Sequence, residues 1–175
     1  MNILGLDIST SCVGITVLNE NETLVIFDYV KPIGDTIFEK INSATIQTSK
    51  ILSNTKIDYI IAEMPNIAFS VGKSSAQVIS TVLRFNGAFL SYCYQNYTTN
   101  ITEIMAVSAR KAVTGRGRYE DVKNNIFDWV NNKIQYEKWP LVQRGKNKGK
   151  YAKECYDLAD SFILAQYGYK LYCKN

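Results

Sequence analysis

The order of the apolar segments constrains the fold of this chain more than any other feature. Three short segments rich in β-branched residues follow one another with only polar turns between them; they are residues 3–8, 13–18 and 23–30. This spacing predicts three sequential antiparallel strands. A helical repeat over 34–53 comes next, with Asp35 as its expected N-cap.

The second half of the chain alternates between segments with a strand pattern and segments with a helical pattern. Strands expected at 57–62 and 101–105 flank a long helix that begins at Ser74 or Ser75 and continues to about 95. The remaining expected helices cover residues 107–114, 119–133 and 151–168, the last ending at Gly168. A helix that connects two strands of one sheet normally makes a right-handed crossover and leaves the strands parallel. We therefore expect an α/β, ribonuclease H-like architecture: a mixed five-stranded sheet of order 3-2-1-4-5 with helices on both faces, in a single domain over 1–175.

The chain contains no histidine among its 175 residues. Serine–histidine and cysteine–histidine hydrolases, histidine general bases and histidine zinc sites are therefore excluded together. The four cysteines form no C-x-x-C pair, and the N-terminus has no basic segment followed by an apolar stretch. We expect reduced thiols, no membrane span, and a cytoplasmic location in a bacterium or a virus-infected cell.

Charge is distributed unevenly along the chain. Residues 1–64 carry four Lys or Arg and eight Asp or Glu, whereas residues 65–175 carry sixteen and eight. The stretch 138–153 has six positive charges and no acid. Such a run is usually just a solvated surface, but a basic half also suits a polyanion such as nucleic acid.

Four carboxylates are expected to converge at one edge of the sheet. Asp7 lies near the end of the first strand and Glu63 at the end of the fourth, and parallel neighbours place their carboxyl ends together. Neighbouring strands lie about 4.8 Å apart, so both acids reach a common point. Asp157 and Asp160, spaced i and i+3, lie on one face of the last helix, with Glu154 as an auxiliary candidate.

Acids brought together without a histidine repel one another, and a divalent cation relieves that repulsion. All-oxygen ligands favour Mg²⁺ or Mn²⁺ over zinc. Paired ions about 3.5–4 Å apart activate water and stabilise the leaving oxygen in phosphodiester cleavage. Each acid alone is more simply a turn cap, a strand end or an exposed helix residue. Because this strand order brings all four acids to one place, a metal site is the favoured interpretation.

Several motifs resemble those of the RuvC-type Holliday junction resolvases, and the last of them resembles the poxvirus and phage branch of that group. They are Gly5-Leu6-Asp7 with Ser9, Ser11 and Gly14; Ile61-Ala62-Glu63; Lys73-Ser74-Ser75 with Asn86-Gly87; residues 108–117; and Asp157-Leu158-Ala159-Asp160-Ser161. The likeness covers most of the chain.

The resemblance implies a homodimeric, Mg²⁺-dependent endonuclease, with Mn²⁺ as a substitute ion. It would cut four-way or other branched DNA symmetrically, leaving 5′-phosphates, in DNA recombination and repair. Carried over by motif, Asp7, Glu63, Asp157 and Asp160 would be the ligands of two ions, with Asp7 shared between them.

Basic side chains that flank the expected cleft are candidates for binding DNA phosphates. They are Lys73, Arg110, Lys111, Arg116, Arg118, Lys123, Arg144, Lys146, Lys148 and Lys150. Phe69 is a candidate wedge at the unpaired centre of a junction, and ordinary packing is its alternative. Trp139 and Trp129 are expected in the core or at a dimer interface.

One position departs from the family pattern. Bacterial members carry a lysine a few residues beyond the Gly-x-Gly turn, where Asp121 stands in this chain. Either the register shifts to Lys123, or another base contacts the phosphate, such as Lys111, Arg118 or Lys150.

Three other functions fit parts of the pattern. Sugar and acetate kinases share the architecture and a similar first turn, but they need two such domains. A non-catalytic DNA-binding module explains the basic half without explaining the acids. A broader flap or fork nuclease of the same superfamily fits both halves and stays open beside the strict resolvase.

Overall fold

The structure is a computed structural model that describes residues 1–65 and 76–174. Its strands are β1 (Asn2–Ile8), β2 (Val13–Asn19), β3 (Leu24–Val30), β4 (Tyr59–Glu63) and β5 (Ile101–Ile104). Its helices are α1 (Ile37–Leu52), α2 (Ala76–Asn96), α3 (Ala106–Thr114), α4 (Val122–Ile134) and α5 (Glu154–Tyr172).

The strands form one mixed sheet of order β3-β2-β1-β4-β5. β2 is antiparallel to β1 and β3, whereas β4 is parallel to β1 and β5. This confirms the expected ribonuclease H-like sheet, including the order 3-2-1-4-5 and the parallel pairing of the first and fourth strands.

Alternation along β1 divides the core into two layers. Leu4 and Leu6 are fully buried among apolar side chains of α1 and α2, including Phe85 and Phe89. Ile3 points to the opposite face, where it joins the core formed with α3, α4 and α5. A strand with an apolar residue at nearly every position is thus buried on both faces, as the centre of an α/β sheet requires.

Helix α5 crosses the centre of the sheet in the direction opposite to β1. Gly5 lies against the backbone of Ser161 and Ala165, and Gly14, which pairs with Asp7, lies against the backbone of Asp157. A Cβ atom at Gly5 would be 2.2 Å from the Ser161 carbonyl oxygen. The two glycines therefore allow the N-terminal half of α5 to lie directly on the sheet, beside the carboxyl end of β1.

Two sequence-based helix boundaries were wrong. Thr36, not Asp35, caps α1: its side chain accepts from the Glu39 amide while the Glu39 carboxylate accepts from the Thr36 amide. Gly168 lies inside α5 instead of ending it. At that position a Cβ atom would be 2.7 Å or less from Ile3 and Ile61 side-chain carbons, so the glycine serves close packing and not termination.

Within the described residues, none of the helices combines the length and the apolar character needed to cross a bilayer.

Candidate active site

Strand pairing places Asp7 and Glu63 next to each other. Leu6 is paired with Ala62 across the parallel β1–β4 ladder, so the following residue on each strand is also in register. Side chains alternate along a strand, and Gly5 faces α5, so Asp7 faces α5 as well. Ile61 faces the same layer, which puts Glu63 on the side of Asp7. The two carboxylates therefore share one face at the carboxyl ends of neighbouring strands.

The first two turns of α5 bring the other two acids to this face. Asp157 lies where the backbone of α5 touches Gly14, the partner of Asp7. Asp160 lies one turn further along and is hydrogen-bonded to Arg110 of α3. All four predicted carboxylates are thus at one end of the sheet, between β1, β4, α3 and α5.

Each of the four acids has a raised pKa. Burial is the largest cause for all of them, and it lifts the pKa of Asp7 well above its usual value. Glu63, Asp160 and Asp157 raise the pKa of Asp7 further through their negative charge. Burial, with Asp160 and Asp157, raises the pKa of Glu63 to about 7. Each of these carboxyl groups therefore holds its proton more tightly than an isolated acid does, and at Asp7, Glu63 and Asp157 part of the reason is repulsion from the neighbouring acids.

Arg110 is the cation that lies directly against these acids. Its Nη2 and Nε atoms donate to Asp160 Oδ1 at 2.9 and 3.2 Å, and both side chains are mostly buried, at 13% and 20% exposure. The guanidinium lowers the pKa values of Asp160, Glu63 and Asp7, so it offsets part of their repulsion. Arg110 was predicted as a phosphate contact, and in this conformation it binds a carboxylate instead.

The donor chemistry fits a hard divalent cation, because every side chain in the group offers carboxylate oxygens. As the side chains stand, no three acidic or cysteine residues in the described ranges are grouped tightly enough to hold one ion. Asp160 would have to exchange its contact with Arg110 for a cation. Glu154 is an unsuitable ligand, because its buried carboxylate is salt-bridged to Lys31 at 2.8 Å.

Two residues of the β1–β2 turn lie near the acids, and the sequence assigned no chemical role to either of them. Burial raises the pKa of the Cys12 thiol, in the β1–β2 turn, and the negative charge of Asp157 raises it further. Ser9 shapes that turn, since its hydroxyl donates to the Cys12 carbonyl and accepts from the Cys12 amide. The serine-rich sequence after Asp7 indicated a turn but not that Cys12 lies near the acids.

Lys123 is the second cation with an electrostatic effect at this site. Its charge lowers the pKa values of Asp157 and Asp160, and its Nζ atom lies 5.6 Å from the centre of the Tyr156 ring. Asp121, at the ungapped family position, is instead the N-cap of α4 and accepts from the Asn124 amide. The sequence left open whether Lys123 or another base contacts the DNA phosphate, and this arrangement favours Lys123.

The other candidate DNA-binding residues are not part of the acidic group. Those within the described ranges are exposed and lie on α3, the turn after it and the segment before α5: Lys111, Arg116, Arg118, Arg144, Lys146, Lys148 and Lys150. Arg116 is held over the Tyr119 ring and donates to the Arg118 carbonyl. Phe69 and Lys73 lie outside the described residues. Trp139 is buried, as expected, and Trp129 is partly buried against the same core.

Comparisons with known proteins agree with this architecture. No family model and no curated protein matches the sequence. Thermus thermophilus RuvC matches the structure with a TM-score of 0.65 at 14% identity, over 98% of this chain and 95% of that one. T. thermophilus RuvC in complex with a Holliday junction substrate gives 0.67 at 13% identity, over 98% and 94%. The yeast mitochondrial Holliday junction resolvase Ydc2 gives 0.57 at 16% identity, over 98% and 81%. These likenesses confirm the RuvC-like fold that the motifs indicated.

Proposed function

We propose that this chain is a Mg²⁺-dependent, structure-selective DNA endonuclease that resolves four-way junctions and other branched DNA. The observation that supports it most is the meeting of Asp7, Glu63, Asp157 and Asp160 on one face, from elements far apart in sequence. A purely structural role does not explain four mutually repelling carboxylates at the open end of a sheet. The RuvC-like fold agrees with this proposal.

In the proposed reaction Asp7, Glu63, Asp157 and Asp160 would hold two Mg²⁺ ions, or Mn²⁺ ions in their place. When bound, such a pair supplies an activated water and stabilises negative charge on the attacked phosphate and the leaving 3′ oxygen, which gives a 5′-phosphate product. Asp7 and Glu63 are fixed by the strands, so they set the position of the site. Asp157 and Asp160 are fixed by α5, which the glycine contacts hold on the sheet.

Arg110 and Lys123 bind and orient the DNA backbone in this proposal. The Arg110 guanidinium now donates to Asp160, and it would be free to donate to a phosphate if Asp160 bound a cation instead. Lys123, beside Asp157 and Asp160, holds the adjacent phosphate. The exposed cations of α3 and of the segment before α5 extend this positive surface, and they give an affinity that falls steeply with salt.

Symmetric cleavage of a junction needs two equivalent active sites, so we propose a homodimer. A two-fold dimer presents the same site twice to a pseudo-symmetric four-way junction. Measurement of the mass in solution tests this point. A protein that stays monomeric with and without DNA, yet cuts both strands in one binding event, would contradict it.

The test of the function is cleavage of end-labelled four-way, three-way, flap and linear duplex DNA, with and without Mg²⁺. We expect Mg²⁺-dependent nicking of the branched substrates, its loss in Asp7→Asn, and full activity in the control Asp35→Asn, which changes an exposed aspartate before α1. Tight DNA binding without cleavage of any substrate would support a non-catalytic module. Faster cleavage of flaps than of four-way junctions would support the broader nuclease.

A further inference from the structure

The basic segment before α5 folds into a hairpin, which we call the basic hairpin (residues 141–151). Leu141 and Tyr151 form an antiparallel bridge at its base. Above the bridge, the Val142 amide donates to the Lys150 carbonyl and the Gly149 amide donates to the Val142 carbonyl, each at 2.9 Å. The hairpin thus has a defined backbone, and its exposed tip carries Arg144, Lys146 and Lys148.

A cleft of about 740 Å³ lies between the basic hairpin, the segment that follows α4 and the start of α5. We call it the aromatic cleft. Its lining includes Tyr136, Trp139, Leu141, Lys150, Tyr151 and Tyr156. A volume of this size is within the range of small-molecule sites and is ample for one nucleotide.

The base of the aromatic cleft is rigid. Trp139 is only 5% exposed, and its indole N–H donates to Asn131 Oδ1 at 2.7 Å. Its ring also makes edge contacts with Phe27 and Phe127, at centroid distances of 5.2 and 4.7 Å. Trp139 is therefore fixed, and it is not the ring that a ligand would stack on.

Tyr151 is the ring that the cleft offers to a ligand. It is 52% exposed, although it is a large aromatic side chain and its centroid lies 4.7 Å from that of Phe127. The Phe127 contact supports the ring on one side. The bridge to Leu141 fixes its backbone, so a base stacking on Tyr151 would meet a positioned platform.

Charge around the aromatic cleft indicates an anionic ligand. Lys150 is part of the lining, and the cations of the hairpin tip stand beside it. Glu137 is the acid in the lining. The stretch that follows it, 138–153, carries six basic residues and no acid. An aromatic platform beside a row of cations is the combination that binds unpaired nucleotides: bases stack on the ring and phosphates meet the cations.

The aromatic cleft adjoins the acidic group. Tyr156 lines the cleft from the first turn of α5, and the next residue is Asp157. The Tyr156 hydroxyl donates to Asn124 at 2.8 Å, and its ring lies under Lys123. A strand lying in the cleft would therefore pass Lys123, whose charge acts on Asp157 and Asp160.

We propose that the aromatic cleft binds an unpaired nucleotide of a branched DNA, with its base stacked on Tyr151 and its phosphate held by Lys150 and the tip of the basic hairpin. The inference rests on the proposed function, which supplies DNA as the ligand. It adds a selective element: a substrate with unpaired bases near its branch point is bound more tightly than a fully paired duplex.

The experiment measures binding of a single-stranded oligonucleotide carrying 2-aminopurine, and of the matched duplex, to an Asp7→Asn background that leaves the DNA uncut. Stacking quenches the 2-aminopurine fluorescence. We expect tighter binding and stronger quenching for the single strand. Tyr151→Ala should weaken single-strand binding about 5- to 150-fold and abolish the quenching, since one stacked base contributes at this level. Tyr151→Phe should keep both, because the ring is kept.

Two further variants separate the ring from general effects. Tyr94→Ala removes a similarly exposed tyrosine, at 53%, from α2 on the opposite layer, and should bind as the parent does. Lys150→Gln should lower the slope of log affinity against log salt by about 0.7 for a single strand. The backbone contacts of Lys150 do not depend on its side chain, so the hairpin is retained.

The outcomes distinguish this inference from the proposed function. Equal single-strand binding and quenching by the parent and the Tyr151→Ala variant would overturn the inference, even if the wild-type protein cuts four-way junctions. Equal loss of duplex and single-strand binding in Tyr151→Ala would also overturn it, because that result indicates general damage to the hairpin. Tyr151-dependent binding in a wild-type protein that cuts no DNA would support the cleft and remove the nuclease proposal.

Discussion

Glu63→Gln should make the metal-free protein more stable at alkaline pH. Burial, together with Asp160 and Asp157, raises the pKa of Glu63 from its usual 4.5 to about 7. The folded state therefore holds this proton more tightly than the unfolded chain does. Stability is then lost as pH rises from 4.5 through 7, because the buried carboxyl must ionise. Glutamine has nearly the same shape and avoids that ionisation.

The size of the effect follows from the difference of 2.5 pKa units. At 1.36 kcal/mol per unit, the ionised side chain destabilises the fold by up to about 3 kcal/mol above pH 7, and by under about 1 kcal/mol at pH 5. Removing the Glu63 charge also eases ionisation of Asp7, so the gain does not come from one residue alone.

Urea unfolding in EDTA, followed by tryptophan fluorescence, measures the difference between the two proteins at pH 5 and pH 8.5. We expect Glu63→Gln to exceed the wild type by about 2–3 kcal/mol at pH 8.5 and to approach it at pH 5. Glu103→Gln, an exposed glutamate on β5, is the control and should show no such trend. A Glu63→Gln difference that does not change with pH would refute the electrostatic reasoning.

Four other substitutions test separate features of the structure. Arg110→Met should raise the pKa of Asp160 in the metal-free protein, because the paired guanidinium lowers it; carboxyl-carbon NMR measures this, and an unchanged titration would contradict the pairing. Gly5→Ala should destabilise the fold by about 3 kcal/mol or more, since its Cβ would collide with the α5 backbone. Gly87→Ala, with open space around it in α2, should stabilise by up to about 1 kcal/mol, and urea midpoints that rank these two variants the other way would refute the close approach. Thr36→Ala should lower the urea-unfolding free energy by about 1 kcal/mol through loss of its cap; no loss would contradict the capping box.

The sheet could be predicted from the sequence because its signals are local. Each strand is a short β-branched segment, and the helical crossovers dictate that β1 and β4 run in parallel. The parallel pairing then brings Asp7 next to Glu63 without any knowledge of side-chain contacts. The i, i+3 spacing of Asp157 and Asp160 placed both on one face of the last helix, where the structure has them.

Contacts between distant elements could not be read from local signals. Gly168 looked like a helix terminator, yet it is required where α5 crosses Ile3 and Ile61. Nothing in the sequence around Arg110 indicates that it pairs with an acid 50 residues away. The hydrogen-bonded hairpin of 141–151 likewise depends on backbone pairing, whereas its charge indicated only a basic surface.

The central claim is that Asp7, Glu63, Asp157 and Asp160 act together as a site for divalent cations. Calorimetric titration of the metal-free protein with Mn²⁺, alone and with uncut four-way junction DNA, tests it most directly. We predict two bound ions per chain in the DNA complex, loss of that binding in Asp7→Asn, and wild-type binding in Asp35→Asn. Absence of Mn²⁺ binding with DNA present, or binding that Asp7→Asn leaves intact, would contradict the claim.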